Sequence, residues 1–158
     1  MQVFKVVPVL LLLIYTTASI TIWPTHTICK NNNLDVKYRS CDPLQDLALS
    51  VDSCSYVPGI AINIQIATIL RYTISQLSVD ISLTLNGQRI PVYTKQLCEQ
   101  NQPQFQFCGK KKGEYIYYEG PVSLNVEGIP QGEFNVTAQL FNGDHHTVIC
   151  ADFFIRNR

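Results

Sequence analysis

The longest patterned run of the chain alternates apolar and polar residues between positions 76 and 85 almost without error. Its apolar members are Leu77, Val79, Ile81, Leu83 and Leu85. A period of two residues places all five side chains on one face of an extended strand, with polar residues on the other face. The run therefore predicts a β-strand that buries one face.

Shorter runs with the same period recur, and no convincing amphipathic helix accompanies them. The predicted strands cover residues 34–38, 47–51, 60–66, 89–93, 114–118, 122–126, 134–141 and 148–155. Asn86-Gly87 suits a primed hairpin turn, Asn142-Gly143-Asp144 is a second hairpin signal, and Gly120-Pro121 predicts a turn or bend between two strands. Pro91 favours an edge position for its strand. Eight or nine short strands predict an all-β, two-sheet antiparallel sandwich.

The first residues have the features of a secretory signal peptide. Lys5 precedes the apolar run 6–14, and the small residues Thr16, Thr17 and Ala18 follow it. The apolar run is roughly half of the ~20 residues that a membrane-spanning helix needs, so an uncleaved anchor is the weaker alternative. We expect residues 1–18 to be the signal peptide and residues 19–158 to form a single extracellular domain.

The charge balance excludes one class of partner. The chain has 12 basic and 12 acidic residues, and removal of Lys5 with the signal peptide leaves a net charge near −1. A nucleic-acid-binding protein needs a basic face, and this composition does not supply one. We expect no nucleic-acid partner.

Six cysteines remain after the signal peptide: Cys29, Cys41, Cys54, Cys98, Cys108 and Cys150. An even count in an exported protein predicts three disulfides, for which there are about 15 connectivities. Zinc is the competing interpretation, but no pair has the close spacing of a structural zinc site. Cys98 and Cys108 flank a polar loop that contains Pro103, so we expect them to pair locally. The residues alone leave the pairing of the other four open.

The most catalytic-looking cluster is Asp144-His145-His146. It follows an Asn-Gly pair at a predicted hairpin tip, where polar residues are ordinarily solvated, and we favour that interpretation over a metal or acid–base role. His26 lies close to the mature N-terminus and is similarly unremarkable. The chain has no Gly-x-Ser-x-Gly motif, phosphate-binding loop or paired-carboxylate motif. We therefore predict neither an enzyme nor a metal or organic cofactor.

Two surface features remain. Asn135-Val136-Thr137 is a glycosylation sequon, and the alternation of residues 134–136 should turn Asn135 to solvent, where a glycan would shield that sheet face. Lys110, Lys111 and Lys112 form a basic cluster. A solvated turn is the default interpretation of such a run, and a charged rim for lipid phosphates or an acidic receptor surface is the functional one.

The periodicity of the strands cannot distinguish a filled core from a ligand cavity.

Several short sequence motifs resemble those of a known family, and the resemblance covers essentially the whole mature chain. The cysteine frame reads Cys29, Cys41-Asp42, Cys54, Cys98, Phe107-Cys108, Lys112-Gly113-Glu114 and Cys150. It resembles the lipid-recognition (ML) domain family related to myeloid differentiation factor two. Residues 23–26, 40–46, 107–109, 116–118 and 129–133 resemble the branch whose members are secreted partners of a leucine-rich-repeat Toll-like receptor homologue.

The resemblance implies an immunoglobulin-like sandwich whose sheets splay apart to form an apolar cavity for acyl chains. It implies bridges Cys29–Cys54, Cys41–Cys150 and Cys98–Cys108. The implied cavity lining is Ile64, Ile66, Val79, Ile81, Leu83, Phe107, Ile116, Leu124, Phe134 and Phe153. Arg71, Lys110, Lys111 and Lys112 would lie near the rim that meets the receptor.

The function that the resemblance implies is a secreted lipid-binding co-receptor in innate immune responses to bacterial lipopolysaccharide. Its ligand would be phospholipid or lipid A, and its partner the ectodomain of the Toll-like receptor homologue. Residues 127–133 contain two acids, no lysine and no phenylalanine, unlike the longer lysine-rich loop of the related endotoxin co-receptor. We therefore expect weaker endotoxin recognition. The alternatives are a lipid carrier that works without a receptor and an interaction domain with a closed core.

Overall fold

The computed structural model describes residues 23–55, 57–102, 104–123 and 128–158, and within these ranges the chain forms nine β-strands. They are β1 (His26–Lys30), β2 (Leu34–Ser40), β3 (Ala48–Val51), β4 (Ile62–Ile69), β5 (Leu77–Leu85), β6 (Gln88–Cys98), β7 (Tyr115–Val122), β8 (Gly132–Asn142) and β9 (Thr147–Asn157). The predicted signal peptide lies outside the described residues and stays a prediction. No helix in the described part of the chain is long and apolar enough to cross a membrane.

The strands form two antiparallel sheets of unequal width. One sheet has six strands in the order β1-β2-β9-β8-β5-β6, and the other has three in the order β3-β4-β7. This confirms the predicted all-β sandwich. Because the wide sheet has twice as many strands as the narrow one, the narrow sheet cannot cover all of the wide sheet's inner face.

The hairpin between β5 and β6 forms where the sequence predicts it. Asn86 and Gly87 have φ angles of 50° and 77°, the positive values that a primed turn requires. β6 is an edge strand, as Pro91 indicates, since the missing N–H of proline is tolerated there.

The prediction of a turn at Gly120-Pro121 is wrong. β7 runs through both residues, and Gly120 pairs with Ile64 while Pro121 pairs with Asn63. The strand tolerates this proline because β7 is an edge strand of the narrow sheet and needs hydrogen bonds on one side only. Most of the predicted strand 122–126 lies outside the described residues.

The largest fully buried side chains lie at one end of the sandwich, which we call the floor. It contains Leu70, Ile74, Leu77, Cys98, Ile116 and Val148. Leu77 begins β5, Cys98 ends β6, and Leu70 and Ile74 lie in the connection from β4 to β5. The floor is the sealed end of the fold, and the opposite end of β5, at Leu85, is exposed.

One long side of the sandwich is closed by direct links between the sheets. β1 and β3 approach each other there, and the Cys29–Cys54 disulfide joins β1 to the segment after β3. The buried Tyr38 hydroxyl donates to the Leu47 carbonyl oxygen (3.1 Å) and accepts from the Leu49 N–H (3.0 Å). Burial raises the pKa of Tyr38, which keeps this hydroxyl protonated and able to donate.

The other long side has no such links among the described residues. β6 and β7 are the edge strands on that side, and neither comes close to a strand of the opposite sheet. The Cys98–Cys108 disulfide lies on this side, but at the floor end, and it holds the loop that follows β6. The sandwich is therefore sealed at the floor and along β1/β3, and it opens between β6 and β7.

Candidate functional site

The inner face of the wide sheet supplies one wall of the space between the sheets. Val79, Ile81 and Leu83 follow the buried Leu77 on the same face of β5. Across the sheet, Ile81 pairs with Ala138 and Leu83 with Val136, and Val136 pairs in turn with Phe153. Phe134 lies on this face two residues before Val136. The wall is apolar across three neighbouring strands.

These inward-facing side chains are only partly buried. Val79, Ile81, Leu83, Phe134 and Phe153 all retain solvent exposure, whereas Leu77 at the floor is fully buried. A filled sandwich core would bury every one of them, because protein interiors are close-packed. The space between the sheets is therefore open from Val79 toward the end of β5.

The narrow sheet supplies the opposite wall. Ile64 and Ile66 face inward from β4 and are partly buried. Ile66 pairs with Tyr118 on β7, and Thr68 pairs with Ile116. Ile116 is fully buried and belongs to the floor, so it closes the base of the space rather than lining its open part. Leu124, the remaining predicted lining residue of this wall, lies outside the described residues.

An aromatic cluster stands at the floor end of the open side. The rings of Phe105 and Phe107 are stacked with centroids 5.1 Å apart, and the Tyr118 ring meets both edge-on at 6.0 and 5.9 Å. The Cys98–Cys108 disulfide holds this loop against the sandwich. A Cβ at position 120 would lie 2.7 Å from the Tyr118 hydroxyl oxygen, so Gly120 makes room for this ring. Phe107 was predicted from the sequence, whereas its partners Phe105 and Tyr118 were not.

The six cysteines pair as Cys29–Cys54, Cys41–Cys150 and Cys98–Cys108, which is the pairing that the family resemblance implies. Two of the bridges bear directly on the open space. Cys29–Cys54 closes the β1/β3 side, and Cys98–Cys108 positions the aromatic cluster. Cys41–Cys150 lies away from the space and ties the end of β2 to β9.

The four predicted rim cations share one end of the molecule. The segments 70–74 and 109–114 run side by side, because the Ile74 N–H donates to the Lys110 carbonyl oxygen (3.0 Å) and the Gly113 N–H to the Leu70 carbonyl oxygen (2.7 Å). Lys111 and Lys112 are exposed, and Lys110 is half-buried. The cluster therefore lies beside the floor, at the corner where the open side begins, and does not surround the open end.

Arg71 differs from the three lysines because its charge is already engaged. Its Nη2 forms an ion pair with the buried Asp42 carboxylate, and its Nε donates to Gln45 Oε1 (3.2 Å). These contacts hold the turn after β2 against the connection between β4 and β5. Arg71 thus has a structural role here, and the lysines carry the available positive charge.

His145 and His146 are exposed at the β8–β9 tip. The His146 ring stacks on Tyr72 with centroids 4.4 Å apart. His26 contacts Asp46 through Nε2 at 3.0 Å on the β1/β3 side, far along the chain from the hairpin tip. Across the described ranges, no group of three or more His, Cys, Asp or Glu side chains could hold a metal ion.

Comparison with known proteins gives consistent matches over nearly the whole chain. The model of the ML domain matches residues 35–156. Lymphocyte antigen 86 of Gallus gallus is 45% identical over 157 residues, which cover 99% of this chain and 98% of that protein. Its counterpart in Mus musculus is 47% identical over 130 residues, covering 82% of this chain and 80% of that protein. Lymphocyte antigen 96 of Homo sapiens is 23% identical over 146 residues, covering 90% and 88%.

Solved structures give the same picture. The crystal structure of chicken MD-1 complexed with lipid IVa has a TM-score of 0.79 and 47% identity, covering 85% of this chain and 98% of that chain. A Niemann-Pick type C2 protein from Japanese carpenter ant has a TM-score of 0.51 at 17% identity, covering 80% and 94%. The second match supports the fold alone.

Proposed function

Because the chain belongs to the ML-domain family, we propose that it is a lipid-binding protein that holds acyl chains between its two sheets. The observation that carries this proposal is the partial exposure of inward-facing aliphatic side chains on both walls. Val79, Ile81 and Leu83 on one wall and Ile64 and Ile66 on the other are left without full packing partners. A relative of similar fold, chicken MD-1, is complexed with lipid IVa, which supports a lipid as the ligand.

The energetics favour a lipid ligand. Each buried methylene contributes about 0.8 kcal/mol, so a chain with about ten buried methylenes gains on the order of 8 kcal/mol before the entropy of ordering is subtracted. Such binding requires apolar walls rather than specific hydrogen bonds. We propose that Ile64, Ile66, Val79, Ile81, Leu83, Phe107, Phe134 and Phe153 line the cavity. The ligand is phospholipid or lipid A, whose headgroup stays in water on the β6/β7 side.

Native mass spectrometry of the secreted protein, followed by solvent extraction, tests this proposal. We expect co-purifying phospholipid or lipid A at about one equivalent per chain. A protein that emerges free of lipid and also does not bind added fluorescent lipid would have a closed core, and the cavity proposal would be wrong.

A carrier that works without a receptor would exchange its lipid rapidly between vesicles, whereas a co-receptor should be secreted mostly in complex with its receptor.

We further propose that the protein is a secreted co-receptor in innate immunity and reaches the cell surface through a leucine-rich-repeat Toll-like receptor homologue. Its similarity to lymphocyte antigen 86 supports this assignment. The lysine cluster supports it physically, since a rigid backbone presents Lys111 and Lys112 to solvent and none of the salt bridges among the described residues uses them. An acidic surface on the receptor would be complementary.

Replacement of Lys110, Lys111 and Lys112 by serine should weaken binding to the receptor ectodomain by about tenfold or more at low salt. The reason is that three positive charges at the interface contribute to both encounter rate and affinity. Surface plasmon resonance at two salt concentrations would measure the effect. Replacing Lys30, Arg89 and Arg158 by serine is the matched control, because it removes the same charge from exposed positions elsewhere. Unchanged affinity of the Lys110–Lys112 variant would return the cluster to the solvated-turn interpretation.

A further inference from the structure

The outer face of the narrow sheet is apolar at the floor end, although it faces solvent. Ile69 is 58% exposed, Tyr115 56% and Tyr117 51%. The strand register places Ile69 beside Tyr115 and Ala67 beside Tyr117. The outward face of an antiparallel sheet is ordinarily polar, and Asn63 and Gln65 follow that rule farther along β4. The apolar half of this face therefore departs from that rule, and burial in the fold does not explain it.

Leu44 extends the same surface. It is 73% exposed, and its neighbour Gln45 donates through Nε2 to the Ile69 carbonyl oxygen at 2.6 Å. The turn that carries Leu44 is held by the Arg71–Asp42 ion pair. We call Leu44, Ala67, Ile69, Tyr115 and Tyr117 the aromatic face.

Tyr117, one member of the aromatic face, is held by hydrogen bonds within the narrow sheet. The Tyr117 hydroxyl donates to Glu119 Oε2 at 2.6 Å, and Gln65 Nε2 donates to Glu119 Oε1 at 3.2 Å. These hydrogen bonds raise the pKa of Tyr117 and lower that of Glu119, so the tyrosine stays neutral and the glutamate stays charged. A side chain that is fixed in advance loses less entropy on docking.

The lysine cluster adjoins the aromatic face along the chain. Lys112 precedes Tyr115 by three residues, and the Leu70 N–H donates to the Glu114 carbonyl oxygen at 2.9 Å between them. The Lys112 N–H donates to Thr73 Oγ1 at 3.3 Å. An apolar, tyrosine-rich centre with a charged edge is the anatomy of a protein–protein interface.

The outer face of the wide sheet is a poorer candidate for docking. Its β5 positions are Ser78, Asp80, Ser82 and Thr84, all polar. Asn135 of the glycosylation sequon is exposed on β8 and pairs with Thr84, so a glycan there would stand over this face. Of the two outer faces, that of the narrow sheet is therefore the better candidate for a protein partner.

We propose that the aromatic face and the adjoining lysine cluster form one continuous docking surface for the receptor ectodomain. This inference rests on the proposed co-receptor function. The partner surface presents an apolar patch to Ile69 and Tyr115 and carboxylates to Lys111 and Lys112. The lipid cavity opens between β6 and β7, so the docking surface leaves the ligand side uncovered.

The test is the affinity of purified receptor ectodomain for the double variant Ile69→Ser/Tyr115→Ser. We expect at least a tenfold loss of affinity with lipid uptake unchanged. Leu44→Ser, in a turn outside the strands, should lose at least threefold and serves if the double variant is poorly secreted. Ile60→Ser is the matched control, because Ile60 is 62% exposed and precedes β4 at the opposite end of the narrow sheet. Its affinity should stay within twofold of the wild type.

Three outcomes separate this inference from the function on which it rests. Wild-type protein that binds the receptor, with both aromatic-face variants binding within twofold of it, would overturn the docking surface and leave the co-receptor role standing. An equal loss in Ile60→Ser would also overturn it, since the effect would then come from exposed apolar area in general. Failure of the wild-type protein to bind would remove the co-receptor role and the docking surface together.

Discussion

Replacement of Ile81 by aspartate is expected to abolish lipid uptake while the fold is retained. Ile81 lies in the middle of β5 and faces the open space, between Ala138 and Tyr93 on the neighbouring strands. Without lipid, a carboxylate at this partly exposed position can remain hydrated, so the protein should still be secreted. An acyl chain would strip that hydration, and burial of an unpaired charge costs several kcal/mol. Fluorescent-lipid titration and native mass spectrometry would measure the loss.

Thr84→Asp is the matched control for Ile81→Asp. Thr84 belongs to the same strand but faces outward, where it pairs with Arg89 and Asn135. The same carboxylate there should leave lipid uptake unchanged. Retained uptake by a folded Ile81→Asp variant would contradict the cavity. Loss of uptake in both variants would attribute the effect to damage of β5 rather than to the wall of the cavity.

The alternation of residues in β5 was sufficient to predict both the strand and its inward face. Leu77 and Leu85 bound the strand in the structure as they do in the sequence pattern. The hairpin at Asn86-Gly87 was predictable for a local reason, since few residues adopt positive φ without strain. Local rules of this kind also predicted the edge position of Pro91.

β1 was not predicted, because its pairing with β2 is irregular. The register shifts between Thr27 and Cys29, which interrupts the period of two residues on which strand prediction depends. β7 was cut short in the prediction for the opposite reason. Gly120 and Pro121 carry a turn signal in sequence, but the edge position of β7, a property of the whole sheet, removes the cost of the proline.

The open space between the two sheets could not be derived from periodicity. The pattern assigns Leu77 and Leu83 to the same face, yet one is fully buried in the floor and the other faces open space. The difference arises from the unequal widths of the two sheets and from the closure of one side only, both of which depend on long-range pairing. The family resemblance implied the cavity on other grounds. The contacts of Phe105 with Tyr118 and of Tyr72 with His146 join residues far apart in the chain and have no local signal.

The disulfide pairing was likewise predictable from the local sequence for one bridge and not for another. Cys98 and Cys108 are separated by 10 residues and could be paired from the intervening loop, whereas Cys41 and Cys150 are separated by 109. The chain between Cys41 and Cys150 includes β3 to β8, so only the assembled fold brings these two residues together.

Loss of the Cys41–Cys150 disulfide is expected to destabilise the protein more than loss of either shorter bridge. The double variant Cys41→Ser/Cys150→Ser should lower the free energy of unfolding by ~2–5 kcal/mol and reduce the secreted yield severalfold. β9 pairs with both β2 and β8 inside the wide sheet, and the Cys41 N–H donates to the Cys150 carbonyl oxygen at 3.1 Å. Denaturant titration and the yield in culture medium would measure both effects.

Cys98→Ser/Cys108→Ser is the comparison, because it removes the same number of sulfur atoms from a loop of much shorter span. In the chain-entropy model a bridge across about 110 residues contributes about 5 kcal/mol and one across about 10 residues about 3 kcal/mol. The shorter bridge also holds the aromatic cluster, so its loss should weaken lipid retention. Its effect on the free energy of unfolding should be smaller than that of Cys41→Ser/Cys150→Ser. Normal yield and an unchanged free energy of unfolding in Cys41→Ser/Cys150→Ser would show that strand pairing alone keeps β9 in the sheet. A larger stability loss in that variant would agree with the chain-entropy model, in which the long bridge limits how far the unfolded chain can expand.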